Sequence, residues 1–301
     1  MDRRTEPGVY LRPEVLEAIG RLDLRAKTLA EGFLAGAHRS LHHGFSAEFA
    51  GHRRYAPGEP ERAVDWTVWA RTNRLYVRDY RADTSLAGTL IVDASASMGY
   101  GPGPVAKLRY VASLAGALAY LMSRQGDPVG LLVLGRRRVE GMKPSARPGQ
   151  LVRVLRALDG LHASGDVPFA EGLERAFPYL RRRGVVVLAG DLHPASDVPR
   201  LSRAFAQLRS RGHDVIVFHV LDVDEVHLPF GAPVELEDME SGRRLSFDPG
   251  TAGLAHGERV RVWRDELARA AAARGVDYVP LDTGRPLGPA LASYLARRSG
   301  H

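Results

Sequence analysis

Residues 86–135 read LAGTLIVDASASMGYGPGPVAKLRYVASLAGALAYLMSRQGDPVGLLVLG. An apolar run ends on an acid and two alternate serines, a burst of glycine follows, and a long apolar helical stretch closed by Gly126 leads into a second apolar run. Short unbroken apolar runs separated by helices are the pattern of strands buried on both faces, because parallel strands need crossovers that cover the sheet on two sides. The rhythm continues downstream. VVVLAGDL, HDVIVFHVLD and VDYVPLDT read as strands, and RRVEGMKP reads as a short edge strand. PGQLVRVLRALDGL, FAEGLERAFPYLRRRG with a break at Pro178, DVPRLSRAFAQLRSRG, RVWRDELARAAAARG and LGPALASYLARR read as helices. The expected fold is a doubly wound α/β domain over residues 84–301, with a mostly parallel sheet and helices on both faces. A polar excursion over 223–255 is expected to contain a hairpin turning at Ser241 and Gly242.

Residues 1–83 precede this domain. Helical spacing predicts a helix over 13–34, residues 36–73 read as a long irregular segment, and RLYVRDYRA reads as an exposed or edge strand. The 301 residues contain no cysteine, which excludes disulfides, thiolate catalysis and cysteine-held metals. No window reaches the roughly 18 apolar residues of a membrane span, and the N-terminus lacks a secretory apolar stretch, so a cytoplasmic protein is expected. The net charge of +7 is scattered and not interleaved with aromatic residues, which reads as a solvated surface and not a nucleic-acid site.

In doubly wound sheets ligands bind beyond the carboxyl ends of the strands, where the strand order reverses. Asp93 and Asp191 each end a predicted strand and face one rim, and Asp93, Ser95 and Ser97 share a loop. Hydroxyls with one or two carboxylates suit a hard cation such as magnesium. Taken singly, these serines are helix caps and Asp191 a turn residue. Gly99, Gly101, Gly103 and Lys107 do not make a phosphate loop. Ser95 or Ser97 with His193 and Asp191 supplies the components of a serine hydrolase, although SASMG is not the G-x-S-x-G elbow. His219, inside a strand, reads as a satisfied core residue.

D-x-S-x-S after an apolar strand resembles the metal-ion-dependent adhesion site of von Willebrand factor type A domains. The preceding RRYAPGEPERAVDWTVWARTNRLYVRDYRAD, residues 53–83, resembles the signature of the bacterial domain-of-unknown-function family number fifty-eight. The resemblance implies a divalent cation, Mg2+ or another, held by Asp93, Ser95, Ser97 and Asp191. It also implies a threonine where this chain has Gly165, with Ser164 one place earlier. That departure leaves open a weakened site, one completed by Ser164 or Asp166, or one that has lost its metal. Arg54, Tyr55, Pro57, Gly58, Arg62, Asp65, Trp66 and Arg71 carry the signature and are read as packing or partner contacts. The function implied is that of a non-enzymatic adaptor for a MoxR-type AAA+ ATPase in protein maturation or remodelling.

Overall fold

The computed structural model describes residues 46–54, 68, 75–83, 87–101, 106–135, 138–180, 183–193, 197–239, 241–291 and 294. The helix predicted over 13–34, and Tyr55, Pro57, Gly58, Arg62, Asp65, Trp66 and Arg71 of the signature, lie outside these residues. Two compact units are present, one holding residues 41–86 and the other everything from Ala87 onward. In the first, β1 (Ser46–Arg54) pairs antiparallel with β2 (Tyr76–Asp83), with a register shift between Phe49 and Gly51. The sequence reads as irregular where β1 lies: its glycine and mixed polarity hide the strand, and the pairing that defines it is with residues more than twenty positions away.

The second unit is built on β3 (Ala87–Asp93), β4 (Val129–Leu134), β5 (Glu140–Ser145), β6 (Gly184–Gly190), β7 (Asp214–Leu221) and, after the β8 (Val234–Glu237) and β9 (Arg244–Phe247) hairpin, β10 (Asp277–Asp282). The sheet order is β10-β7-β6-β3-β4-β5, with every pairing parallel except the antiparallel edge strand β5. The chain winds outward from β3 through β4 to β5, returns to β6, and then winds the other way to β7 and β10. The reversal therefore lies between β3 and β6. This is the doubly wound, mostly parallel α/β architecture predicted from the apolar runs.

Among the described residues, six helices lie between these strands: α1 (Lys107–Arg124), α2 (Gln150–Asp159), α3 (Phe169–Ala176), α4 (Val198–Ser210), α5 (Val223–His227) and α6 (Pro249–Ala272). Residues 287–291 after β10 are helical too, where a closing helix is predicted. α1 is buried nearly all round, which is why its pattern reads as continuous apolar residues and not as an amphipathic stripe. Ile91, Leu132, Leu134, Val186, Leu188, Val215 and Val217 of the strands form one core with Phe169, Leu173, Leu201, Phe205, Leu208 and Leu267 of the helices. α3 gives way at Pro178 to a single 3-10 turn over Phe177–Tyr179, as the missing amide requires. Two features differ from expectation. α5 is too short to show a period, and α6 begins at Pro249, where proline suits a first helical turn, although glycines at 250, 253 and 257 obscure the pattern. Among the described residues no helix is long and apolar enough to cross a membrane.

His219 on β7 is fully buried, its Nδ1 2.6 Å from the Tyr278 hydroxyl and its ring edge-on to Trp263 at 4.8 Å. Its Nε2 has no well-formed hydrogen bond among the described residues, so the residue is satisfied on one side of the ring only. Burial, with the Arg264 charge adding to it, pushes the pKa down to about 3. A base whose folded pKa is depressed supports the fold above its unfolded value of 6.5, and that support is lost as pH falls toward about 3. Each pH unit in that window costs about 1.4 kcal/mol. His219→Gln should flatten the acid limb of the stability profile, measured by urea denaturation between neutrality and the acid transition, by close to one proton.

Candidate functional site

At the carboxyl ends of β3, β6, β7 and β10 one polar network runs along the rim. Asp93, 1% exposed, ends β3, and its Oδ1 accepts the Ser95 amide at 2.9 Å. The Ser95 and Ser97 hydroxyls lie 3.1 Å apart, and Ser97 hydrogen-bonds to Asp191. Asp191, just past β6 and 2% exposed, accepts the His193 amide on Oδ1 at 3.1 Å. The residue between them, Leu192, is held at φ 56 with its side chain buried, a left-handed conformation that turns the chain sharply at the strand end. Asp93, Ser95, Ser97 and Asp191 are thus brought together as the sequence predicted. Ser164 is half-buried close by, its amide donating to the Ala94 carbonyl at 2.8 Å.

The centre of the network is a residue that sequence reasoning set aside. Lys107, the first residue of α1, is 0% exposed, and its Nζ donates to Asp191 Oδ2 at 2.8 Å and to Glu225 Oε1 at 2.6 Å. Glu225 belongs to α5, where its Oε2 accepts the Asp222 amide at 2.8 Å while Asp222 Oδ1 accepts the Asp224 amide at 3.0 Å, a reciprocal cap. Asp222 Oδ2 then accepts the Thr283 hydroxyl at 2.5 Å, which carries the network to the end of β10. A lysine at a helix N-terminus opposes the helix dipole, so the two carboxylates compensate both the buried charge and its position. Burial works against the ammonium, but Asp191 and Glu225 together hold its pKa above the ordinary lysine value. Burial likewise works against ionised Asp191, and the Lys107 charge outweighs it and keeps the carboxyl below its usual range. At Glu225 the balance tips the other way: burial, with the Asp191 charge adding, raises its pKa despite Lys107.

Two glycines let the rim close. A Cβ on Gly190, at the end of β6, would lie 2.5 Å from Asp93 Cβ, and one on Gly135, just after β4 with φ +98, would lie 2.3 Å from the Ser95 amide nitrogen. Both positions end apolar strands in the sequence, where glycine is an ordinary terminator, so nothing there signals the close approach. Lys107 did carry a signal: it is the one charge on an otherwise apolar helix face.

The donor set does not fit a divalent cation as arranged. Asp191 already accepts from an ammonium, an amide and a hydroxyl. A dication beside Asp191 would be repelled by that ammonium, on the order of 8 kcal/mol at about 4 Å and an effective dielectric of 20, so part of its attraction to the carboxylates would be offset. Where the resemblance implies a threonine and so a third hydroxyl, Gly165, at φ +105, offers only a carbonyl, which accepts the Ala96 amide at 3.0 Å, and the hydroxyl of this stretch is that of Ser164 one place earlier. Among the described residues, no group of three or more histidine, aspartate or glutamate side chains is placed to hold a metal. The serine hydrolase components do not assemble either. No hydrogen bond joins the His193 ring to Ser95 or Ser97, and Asp191 engages the His193 amide and Lys107.

The family model described as protein of unknown function DUF58 matches residues 51–266. The uncharacterized protein Rv1480 of Mycobacterium tuberculosis is 32% identical over 270 residues, covering 88% of this chain and 80% of the relative, and the uncharacterized protein Mb1516 of Mycobacterium bovis matches equally. Among solved structures, the conserved hypothetical protein BatB from Bacteroides thetaiotaomicron aligns at a TM-score of 0.44 and 16% identity over 72% of this chain and 100% of its own. The SpRpn10 VWA domain aligns at 0.40 and 14% over 71% and 95%.

Asp191→Asn leaves the buried ammonium with Glu225 alone and should cost about 3 kcal/mol in urea denaturation, the lower end for breaking a buried pair. Gly190→Ala forces β6 away from Asp93 and should cost ~2 kcal/mol by overpacking, whereas Gly231→Ala, where a Cβ meets open space, should be close to neutral in the same assay.

Proposed function

The chain belongs to the DUF58 family, and on that premise we propose that it is a non-enzymatic protein-interaction module acting in the cytoplasm, whose rim at the β3–β6 reversal docks a partner protein. The observation that carries this reading is the state of the rim itself. Its polar groups are bonded to one another, in a line from Asp93 to Thr283 with Lys107 between Asp191 and Glu225, and no nucleophile is presented to a base. What remains outward is contact surface. Val223 at the start of α5 is 39% exposed and Met239 at the tip of the β8–β9 hairpin is 47% exposed. The Met239 methyl lies against Gly99, and Val223 lies against Gly284, so both apolar groups flank the network. Apolar side chains around a rigid polar centre are what a protein interface uses as anchors.

The partner in this proposal is a MoxR-type AAA+ ATPase, as the signature in residues 53–83 implies, with maturation or remodelling of other proteins as the outcome. The cation-bridged form of the contact is not part of the proposal, because the donor set is built around Lys107. A serine hydrolase reading has no assembled triad to support it.

Calorimetry with the purified MoxR-type ATPase should show binding to the wild-type chain and a loss of at least about tenfold for Val223→Asp combined with Met239→Asp. Tyr179→Asp changes an exposed residue at the opposite end of the sheet and should bind as wild type. A fluorophosphonate probe should leave Ser95 and Ser97 unlabelled. Undiminished binding by the rim variant, or clean serine labelling, would overturn the reading.

A further inference from the structure

We propose that Lys107 is the resident cation of this rim: its tethered ammonium supplies the positive charge that a divalent metal would bring to Asp191, so the surface assembles without metal. Three observations meet here. The ammonium is completely buried and touches carboxylates from two elements, the turn after β6 and helix α5. Asp191, the acid needed to complete a metal shell, already accepts hydrogen bonds from Lys107, the His193 amide and Ser97. Gly165, where a threonine was implied, has only its carbonyl to offer, and that accepts the Ala96 amide.

The lysine also does something that a freely exchanging ion would not. It is fixed at the first turn of α1, and its amide donates to the Tyr100 carbonyl at 3.1 Å, so folding of the loop and helix delivers the charge. Through Glu225 it then sets the position of α5, whose His227 end is followed by the hairpin and whose Glu225 carbonyl meets His256 Nε2 of α6 at 2.7 Å. The charge that organises Asp93, Ser95, Ser97 and Asp191 thereby also positions Val223. This inference concerns how the rim is held and stands whichever protein docks on it.

The test is a Mn2+ titration of the wild-type chain, followed by calorimetry and by electron paramagnetic resonance of the free ion. No saturable binding is expected at millimolar Mn2+, and neither Mg2+ nor EDTA should move the melting temperature. Lys107→Met removes the ammonium and leaves Asp93, Asp191 and Glu225 without it. That variant should melt lower than wild type, and Mn2+ should raise its melting temperature, a gain removed by adding Asp93→Asn. Saturable Mn2+ binding to the wild-type chain that Asp93→Asn abolishes would overturn the proposal, and that arm needs no lysine variant to fold. A Lys107→Met protein that melts as wild type, or that melts lower with no recovery in Mn2+, would overturn it as well.

Discussion

One ammonium shared between two carboxylates holds the rim of this molecule together. Taking a lysine completely out of water costs several kcal/mol unless its hydrogen bonds and charge are met, and Lys107 is met on two sides by Asp191 and Glu225. That requirement fixes much else. Asp191 must turn in just past β6, which it does through the left-handed Leu192 and the His193 amide. Glu225 must project from α5, which exists as five residues because Asp222 and Glu225 cap each other's amides. Helices of that length have little stability of their own, so the charge pair and the cap are what keep α5 in place.

The neighbours of this pair show how little slack the arrangement has. β3 and β6 meet at the switch point with Gly190 against Asp93, and the backbone after β4 meets Ser95 at Gly135. With no Cβ at either position, the strand ends approach closely enough for the Asp93, Ser95 and Ser97 turn to lie between them. Thr283 closes the far side onto Asp222. Four parallel strands thus end in a single hydrogen-bonded line, and the central strands β3, β4 and β6 beneath it are almost wholly buried.

Much of this was legible from residue order. Unbroken apolar runs identified the parallel strands because burial on both faces removes alternation, and Asp93, Ser95, Ser97 and Asp191 were placed at one rim by the rule that doubly wound sheets bind at their carboxyl ends. What escaped notice was set by long-range geometry. β1 is defined by pairing to β2, not by its own pattern. Lys107 and Glu225 are 118 positions apart, so although Lys107 stands out on an apolar helix face, nothing in the residue order names the carboxylate that meets it. Gly135 and Gly190 read as strand terminators because a close backbone approach leaves no mark in a sequence. The missing threonine near Gly165 was visible, but its meaning was not, since the compensating charge enters from a different helix.

The D-x-S-x-S turn has a structural role of its own, apart from any metal. An acid and two hydroxyls at a strand end satisfy local needs first: Asp93 accepts the Ser95 amide, the two serines bond to each other, and the turn leads into α1. Whether such a turn also holds a metal depends on what faces it from across the switch point. Here the facing acid is neutralised by a side chain that arrives with the fold, and a permanent internal cation makes the geometry of the rim a property of the folded chain alone. If the rim is held in this way, its order follows protein stability and not metal supply, and the apolar groups exposed beside it include Val223 and Met239.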